Sequence, residues 1–232
     1  APKLTFTIES TNDAAKMTDF VVAKNDASAT QDRTHANSAS GVTFTFRHVL
    51  SRLTFEAKPS VELSTTTGAK GTTYVMVRTA KILQSSSPKF YKSGVLDCAD
   101  ESWSGKVTAT GDYDITKVLA LTDEKAIVTT PITLFTSNEY LFLIPETAKT
   151  GTGTTSAGDV TIRFDYDIVT VDTALGKGYA ITHHTTDAKL PAGALKQGVA
   201  YKYTIEFGIN EVKILTPAVE NWGSEAPGNI TV

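Results

Sequence analysis

The residues from Val42 to Phe55, VTFTFRHVLSRLTF, constrain the fold more than any other stretch of the chain. Val42, Phe44 and Phe46 alternate with Thr43, Thr45 and Arg47. A period of two built from aromatic and β-branched residues marks a strand with one buried face. Past His48 the alternation resumes with the opposite parity, on Leu53, Phe55 and Ala57. A shift of one residue turns every side chain to the other face of a strand. The segment from His48 to Arg52 must therefore hold a bulge or a bend, most simply one that carries the strand from one sheet into another. The expectation is one long ribbon feeding both layers of a β-sandwich, with His48, Leu50 and Arg52 at its bend.

The rest of the chain reads as partners for that ribbon. Leu4, Phe6 and Ile8 alternate in an N-terminal arm, and Phe20 to Ala23 form a short apolar run. Residues 24–40 hold almost nothing that could enter a core, which predicts an exposed linker open to nicking at Lys24 or Arg33. Tyr74 to Leu83 carries apolar residues of both parities, Val75 and Val77 against Met76, Ala80 and Ile82, which predicts partial cover on both faces. Residues 84–117 are weakly patterned, with Trp103 as their one large anchor. Short strands are expected over 118–121, 126–130 and 132–135, with Pro131 suited to an edge or a strand start. Tyr140 to Ile144 is a continuous apolar run ended by Pro145, as in a strand covered on both faces. Val160 to Ile168 alternates cleanly, as does Val199 to Ile209, the longest error-free run, and a hairpin to Val212–Leu215 follows it. A short strand is expected at Tyr179–Ile181, and Trp222 would plug an open end of the sandwich. No convincing amphipathic helix occurs. The fold class is all-β, an antiparallel sandwich with an extended N-terminal arm: arm and linker over 1–40, sandwich over 41–232.

Composition narrows the chemistry. Threonine supplies about one residue in six, a bias toward strands and polar surfaces. The net charge of −3 argues against nucleic acid, which needs a basic face. No stretch approaches the roughly 18 apolar residues of a membrane span. The single cysteine, Cys98, excludes an internal disulfide and a cysteine-based zinc site. No leader is visible, so the chain either was never exported or has lost one. His183 and His184 are adjacent and in a strand point to opposite faces, His35 lies in the linker, and His48 is read as a hydrogen-bonding group at the bend. Asp112/Asp114 and Asp165/Asp167 have a spacing that calcium could use, but the second pair is more simply the wet face opposite Phe164 and Tyr166. Gly151-Thr152-Gly153 lacks the phosphate-loop spacing, and no serine-hydrolase motif occurs. Neither a metal, a cofactor nor an enzymatic activity is expected.

Several of these segments resemble a known family. Phe46 to Phe55, FRHVLSRLTF, is similar to the F-x-H-x-L-S-[RK]-L-x-F stretch of the fimbrillin-like proteins of Bacteroidales, the Mfa-like pilins. Thr18-Asp19-Phe20-Val21-Val22-Ala23 resembles the D-[LF]-[LV]-x-A segment that precedes it, and Tyr140 to Pro145 their L-I-P motif. Gly198 to Ile205 and then Val219 to Trp222 resemble G-x-x-Y-x-Y-x-[IV] and V-x-x-W. The resemblance runs from about residue 18 to the C-terminus. It implies transthyretin-like β-sandwich architecture, export with removal of a leader, and a place at the cell surface, in the outer membrane or fimbrium. The implied partners are other pilin subunits, in a homopolymer or a mixed assembly, with host protein or glycan as a further class.

Two functions follow as expectations. The first is a structural fimbrial subunit that supports adhesion and polymerises by strand exchange, with Leu4, Phe6 and Ile8 as anchors of the donor arm. The C-terminal tail 223–232 is a competing donor, diluted by Gly, Pro and polar residues. The second is a monomeric surface module for glycan or host protein, in which the arm pairs within its own chain. Tyr166, Tyr179, Tyr201 and Tyr203 are its candidate platform, although core packing suits those residues better.

Overall fold

The computed structural model describes residues 2–8, 17–25, 42–60, 71–83, 91–108, 111–116, 126–127, 131–135, 140–145, 160–172, 178–190, 195–220, 222 and 228–230. Of the loops expected over 24–40, 64–73, 149–158 and 191–198, residues 26–40, 64–70, 149–158 and 191–194 lie outside these residues, as do the strand expected over 118–121, His35 and most of the C-terminal tail; residues 71–73 prove to be strand. In chain order the strands are β1 (Lys3–Thr7), β2 (Val21–Asn25), β3 (Val42–His48), β4 (Ser51–Pro59), β5 (Gly71–Ile82), β6 (Tyr91–Asp97) and β7 (Ser102–Thr108). Three two-residue strands follow, β8 (Tyr113–Asp114), β9 (Ala126–Ile127) and β10 (Ile132–Thr133), and then β11 (Leu141–Leu143). The chain closes with β12 (Thr161–Asp172), β13 (Gly178–Lys189), β14 (Ala200–Phe207), β15 (Val212–Ile214), β16 (Ala218–Glu220) and β17 (Gly228–Ile230). No helix occurs among the described residues.

Two larger sheets form the sandwich. One follows the order β10-β4-β14-β15, with β11 also on β4 and β16 also on β14. The other follows β13-β12-β5-β8, with β9 also on β5. Alternation along β4 (Leu53, Phe55, Ala57), β14 (Tyr201, Tyr203, Ile205, Phe207) and β12 (Ile162, Phe164, Tyr166) delivers the buried faces. These faces meet in one core: Phe207 packs edge-on against Phe164 at 5.4 Å and Tyr166 at 5.2 Å, and the Tyr166 hydroxyl donates to the Gly208 carbonyl across the layers at 3.0 Å. Leu141, Phe142 and Leu143 of β11 are all buried, as their unbroken apolar run predicts.

Two smaller sheets, β1-β6-β7 and β17-β3-β2, sit beside the sandwich. They share a small core of Val22, Val49 and Leu96, with Phe20, Cys98 and Trp103 packed on it. The ribbon does break where its parity changes, between His48 and Ser51, and its two halves lie in different sheets. However, β3 enters the three-stranded β17-β3-β2 sheet and not the layer opposite β4. A parity shift reports that the chain leaves its sheet and carries no information about which sheet receives it. The sandwich is also not wholly antiparallel: β4 and β14 run parallel from Arg52↔Ala200 to Pro59↔Phe207. Their starting ends are tied together, by Gly198 N–H to the Leu50 carbonyl at 2.9 Å and Arg52 N–H to the Val199 carbonyl at 3.1 Å. Two strands that start from one anchor can only run side by side in the same direction.

Strand β5 departs from its expected form for a related reason. Val75, Val77, Ala80 and Ile82 are all buried on one face, because Arg78 is an extra residue opposite the Asp165–Tyr166 step of β12. This bulge flips the parity and aims Arg78 at Asp167. The guanidinium donates from Nε to Asp167 Oδ2 at 2.7 Å, while His183 Nδ1 holds Oδ1. Asp165 accepts from Thr79 at 2.5 Å and Thr185 at 2.7 Å. Asp165 and Asp167 do lie on the sheet face opposite Phe164 and Tyr166, but Asp167 is buried beneath its partners rather than wet.

Burial pushes the Asp167 carboxyl up, and the bonds from Arg78 and His183 with their positive charge outweigh it, holding it below the ordinary aspartate value of 3.8. A carboxyl lowered on folding contributes stability above its unfolded pKa and loses it as pH falls through the folded one. The chain should therefore lose stability progressively below about pH 4, with Asp165 and Glu56, also lowered, acting in the same direction. Urea unfolding across a pH series tests this: Asp167→Asn should be less stable at neutral pH and show a shallower acid limb. Parallel limbs for the two proteins would contradict it.

Candidate functional site

The break between β3 and β4 removes the ladder partners of Val49, a fully buried residue whose N–H and C=O must still be paired. Both find partners, the N–H one register step past the end of the β2–β3 pairing and the carbonyl from a side chain. The Val49 N–H donates to the Phe20 carbonyl at 3.1 Å, and the Trp103 indole Nε1–H donates to the Val49 carbonyl at 2.9 Å. On one side of this pivot His48 Nδ1 meets Asp19 Oδ2 at 2.6 Å, and its ring stacks on Trp222 with centroids 4.3 Å apart. On the other side Ser51 Oγ donates to the Lys196 carbonyl at 2.7 Å. The Arg52 guanidinium lies 4.4 Å from the Tyr140 ring centroid and 5.3 Å from that of Trp222, 3.5 Å from Glu220. Leu50, between them, is fully buried in the sandwich core.

The loop before β14 closes the site. Gly198 has φ +67°, a conformation that strains any residue with a Cβ, and a Cβ there would stand 2.9 Å from the His48 carbonyl oxygen. Gln197 Nε2 donates to the Glu101 carbonyl at 3.0 Å, and the buried Glu101 carboxylate, at a turn with φ 61°, receives Arg47 at 3.3 Å. Thus His48, Leu50 and Arg52 meet Asp19, Tyr140, Phe142, Gly198 and Trp222, residues drawn from every short segment that the sequence singles out.

The arm seats directly against this junction. β1 pairs antiparallel with β6, from Lys3↔Asp97 to Thr7↔Ser93. Phe6 stacks on Phe20 at 5.5 Å and meets Trp103 edge-on at 6.2 Å, so its two ring neighbours are the residues that hold the Val49 backbone. Ile8 is buried in the sandwich core, whereas Leu4, opposite Leu96, remains 43% exposed. Gly94, the register partner of Phe6, leaves room for the indole: a Cβ there would lie 3.0 Å from Trp103. The three arm residues therefore differ in role, with Phe6 and Ile8 as anchors and Leu4 at the rim.

Sequence reasoning missed the β6–β7 hairpin that carries Trp103, Glu101 and Gly94. Trp103 alone gave a signal, as the one large apolar residue in a weakly patterned region. The tyrosine platform does not assemble, because Tyr166, Tyr201 and Tyr203 lie in the core; the Tyr179 side chain is outside the described residues. His183 lies on Asp167 and His184 stacks on Tyr166, on opposite faces of β13. Asp114 accepts the Thr116 N–H at 2.9 Å. Among the described residues no three His, Cys, Asp or Glu side chains gather as a metal site would need.

A family model described as fimbrillin-like matches residues 1–222. The chain belongs to the fimbrillin-like family. Over 254 aligned positions it is 28% identical to the fimbrium subunit Fim1C of Phocaeicola vulgatus, with all of this chain and 62% of that protein covered. The chain thus spans less than two thirds of the length of this relative. A crystal structure of a fimbrial protein from Bacteroides vulgatus superimposes with a TM-score of 0.76 at 26% identity, covering 96% of this chain and 68% of that one. In this fimbrillin-like chain the family-like segments are therefore parts of one spatial junction.

That convergence can be tested at Gly198. Gly198→Ala should cost about 1–2 kcal/mol for the left-handed backbone alone, and more from the contact with the His48 carbonyl. Trp103→Phe should cost about 1–3 kcal/mol by leaving the buried Val49 carbonyl unpaired. Urea melts of both proteins check these values, and an unchanged midpoint for both would remove the junction from the fold's stability.

Proposed function

We propose that the chain is a structural subunit of a surface fimbrium that polymerises by β-strand exchange, with the arm anchored by Phe6 and Ile8, and rimmed by Leu4, as the donor. Membership of the fimbrillin-like family supports the fimbrial part of this reading. The observation that carries the exchange is the arm's attachment: among the described residues β1 is an edge strand, bonded along one side only, to β6. A strand held by one edge can be replaced by the identical strand of a neighbour with every contact reproduced between subunits. In this reading residues 1–40 are arm and linker, 41–232 are the body, and the body is a transthyretin-like sandwich. The subunit acts after export and removal of a leader, at the cell surface, with other pilin subunits as partners and support of adhesion as the outcome. No catalytic role is proposed.

Pairing of the arm within its own chain is common to two readings. In a monomeric binding module it would be permanent, and in a pilin it is the state before exchange. Burial of Tyr166, Tyr201 and Tyr203 takes away the platform that the module would need, so the pilin reading is preferred.

Deletion of residues 1–9 tests the proposal. The shortened chain should remain folded and soluble, judged by its near-ultraviolet dichroism, and should form no fibres under conditions in which the full chain does. Phe6→Ala, which keeps the backbone pairing, should slow fibre growth. Fibres of undiminished length from the deletion variant would take the arm out of the mechanism.

A further inference from the structure

The sandwich has one open edge unlike its others. β13 is twelve residues long and stands at the end of its sheet, with no strand hydrogen-bonded to its outer side among the described residues, although β15 of the other layer comes close to it. Its pairing with β12 runs without a register shift from Thr161↔Lys189 to Asp172↔Gly178, so no bulge twists this edge away. The Leu190 N–H donates to Val160 at 2.9 Å, and Leu83 donates to Thr161 on the far side of β12 at 2.8 Å. Antiparallel ladders alternate, so the even-numbered residues Thr182, His184 and Thr186 bond inward to β12. The odd-numbered residues Tyr179, Ile181, His183, Thr185 and Asp187 then present their N–H and C=O groups outward.

Proteins guard such edges by shortness, lysine, proline or bulges. The other end strands of the two sandwich sheets follow that rule: β8 and β10 are two residues long, and β15 is three residues long with Lys213 in its middle. Between Gly178 and Thr186, β13 has no Lys, Arg, Asp, Glu or Pro. The charges come only at its end, at Asp187 and Lys189, and Asp187 is already paired with Arg163 at 2.7 and 2.8 Å. Ile181, within the run that lacks those residues, stands 42% exposed.

We propose that the outer edge of β13 pairs antiparallel with β13 of a second copy of this chain, joining subunits side by side into one continuous sheet. The charge pattern selects both the partner and the direction. A strand pairing with its own copy sets identical residues near one another, which suits a run without Lys, Arg, Asp or Glu in which the one ion-paired side chain, His183, is already held by Asp167 of its own chain. Parallel pairing would place Asp187 beside Asp187 and Lys189 beside Lys189. Antiparallel pairing centred within 182–186 sets the Asp187 and Lys189 end of each strand against the half of the other copy that lacks Lys, Arg, Asp and Glu. The surface is separate from the arm and its seat, so it adds lateral association to whatever joins subunits end to end.

Amide hydrogen exchange read residue by residue on the full chain, dilute and concentrated, tests the pairing alongside sedimentation velocity. Concentration should produce a dimer in which the outward amides of Ile181, His183 and Thr185 exchange about tenfold more slowly or less, while those of Thr182 and His184 stay protected throughout. Ile181→Pro removes an outward donor without touching the β12 ladder and should abolish the dimer, whereas Val219→Lys, at another exposed site, should not. The wild-type exchange pattern decides the matter even if the proline variant fails to fold. A chain that stays monomeric at its highest soluble concentration would overturn the proposal. So would association that leaves the odd-numbered amides fast, or outward amides already slow in the dilute monomer. Protection confined to β1 would report exchange of the arm alone and would equally overturn it.

Discussion

Two hydrogen bonds to the backbone of one residue, Val49, hold the architecture together. Where the ribbon leaves one sheet for another, the backbone of Val49 has no ladder, yet it is wholly buried. An unpaired buried backbone group costs about 1–3 kcal/mol, enough to make a dry bend untenable in a fold of ordinary stability. The Phe20 carbonyl and the Trp103 indole supply the missing partners. Their rings meet edge-on at 6.4 Å beside the bend, and the strands that carry them, β2 beyond Phe20 and β7 with Trp103, are drawn into the two small sheets. Gly198 completes the arrangement, since its lack of a Cβ lets the loop before β14 reach the His48 carbonyl. Both central strands of one sandwich layer thus start from a single anchored point, and their parallel pairing follows.

The same two residues connect the bend to the arm. Phe20 and Trp103 give their polar groups to Val49 and their ring faces to Phe6. A strand in the arm's seat therefore covers the bend's own clamps and shields those bonds from water. The seat is shaped by the junction as well as by the sandwich: Ile8 is buried in the large core and Phe6 packs against its margin. Under the proposed exchange, a neighbour's arm would restore the cover that the subunit's own arm gives up, so an empty seat would be less stable than either filled one.

Much of this was legible in the sequence through parity. The flip between Phe46 and Leu53 located the break in the ribbon, and the unbroken alternations gave β12 and β14 with their buried faces. A second flip, between Val77 and Ala80, has the same cause, an irregular residue at Arg78, but read as burial on both faces because no motif drew attention to it. The polar second half of β13 was invisible, since Thr182, His183 and Thr185 carry no apolar period and are held there by pairing with β12. The β6–β7 hairpin was missed for a similar reason: its buried side is made of Leu96, Trp103 and the space left by Gly94, too few residues to set up a pattern. As for the site, the sequence marked its members as separate short segments. That they converge on Val49 depends on contacts between residues far apart in the chain, such as Ser51 with Lys196 and Arg52 with Glu220, which local periodicity does not encode.

The central claim, that this fimbrillin-like chain serves an assembly by lending its arm to a neighbour, is tested most directly by a helical reconstruction of the assembled filament at side-chain resolution. The account predicts density for Phe6 against Phe20 and Trp103 of one subunit, with the chain leading from that Phe6 tracing into the next subunit. A filament in which each Phe6 traces back to the body whose Trp103 it touches would contradict it.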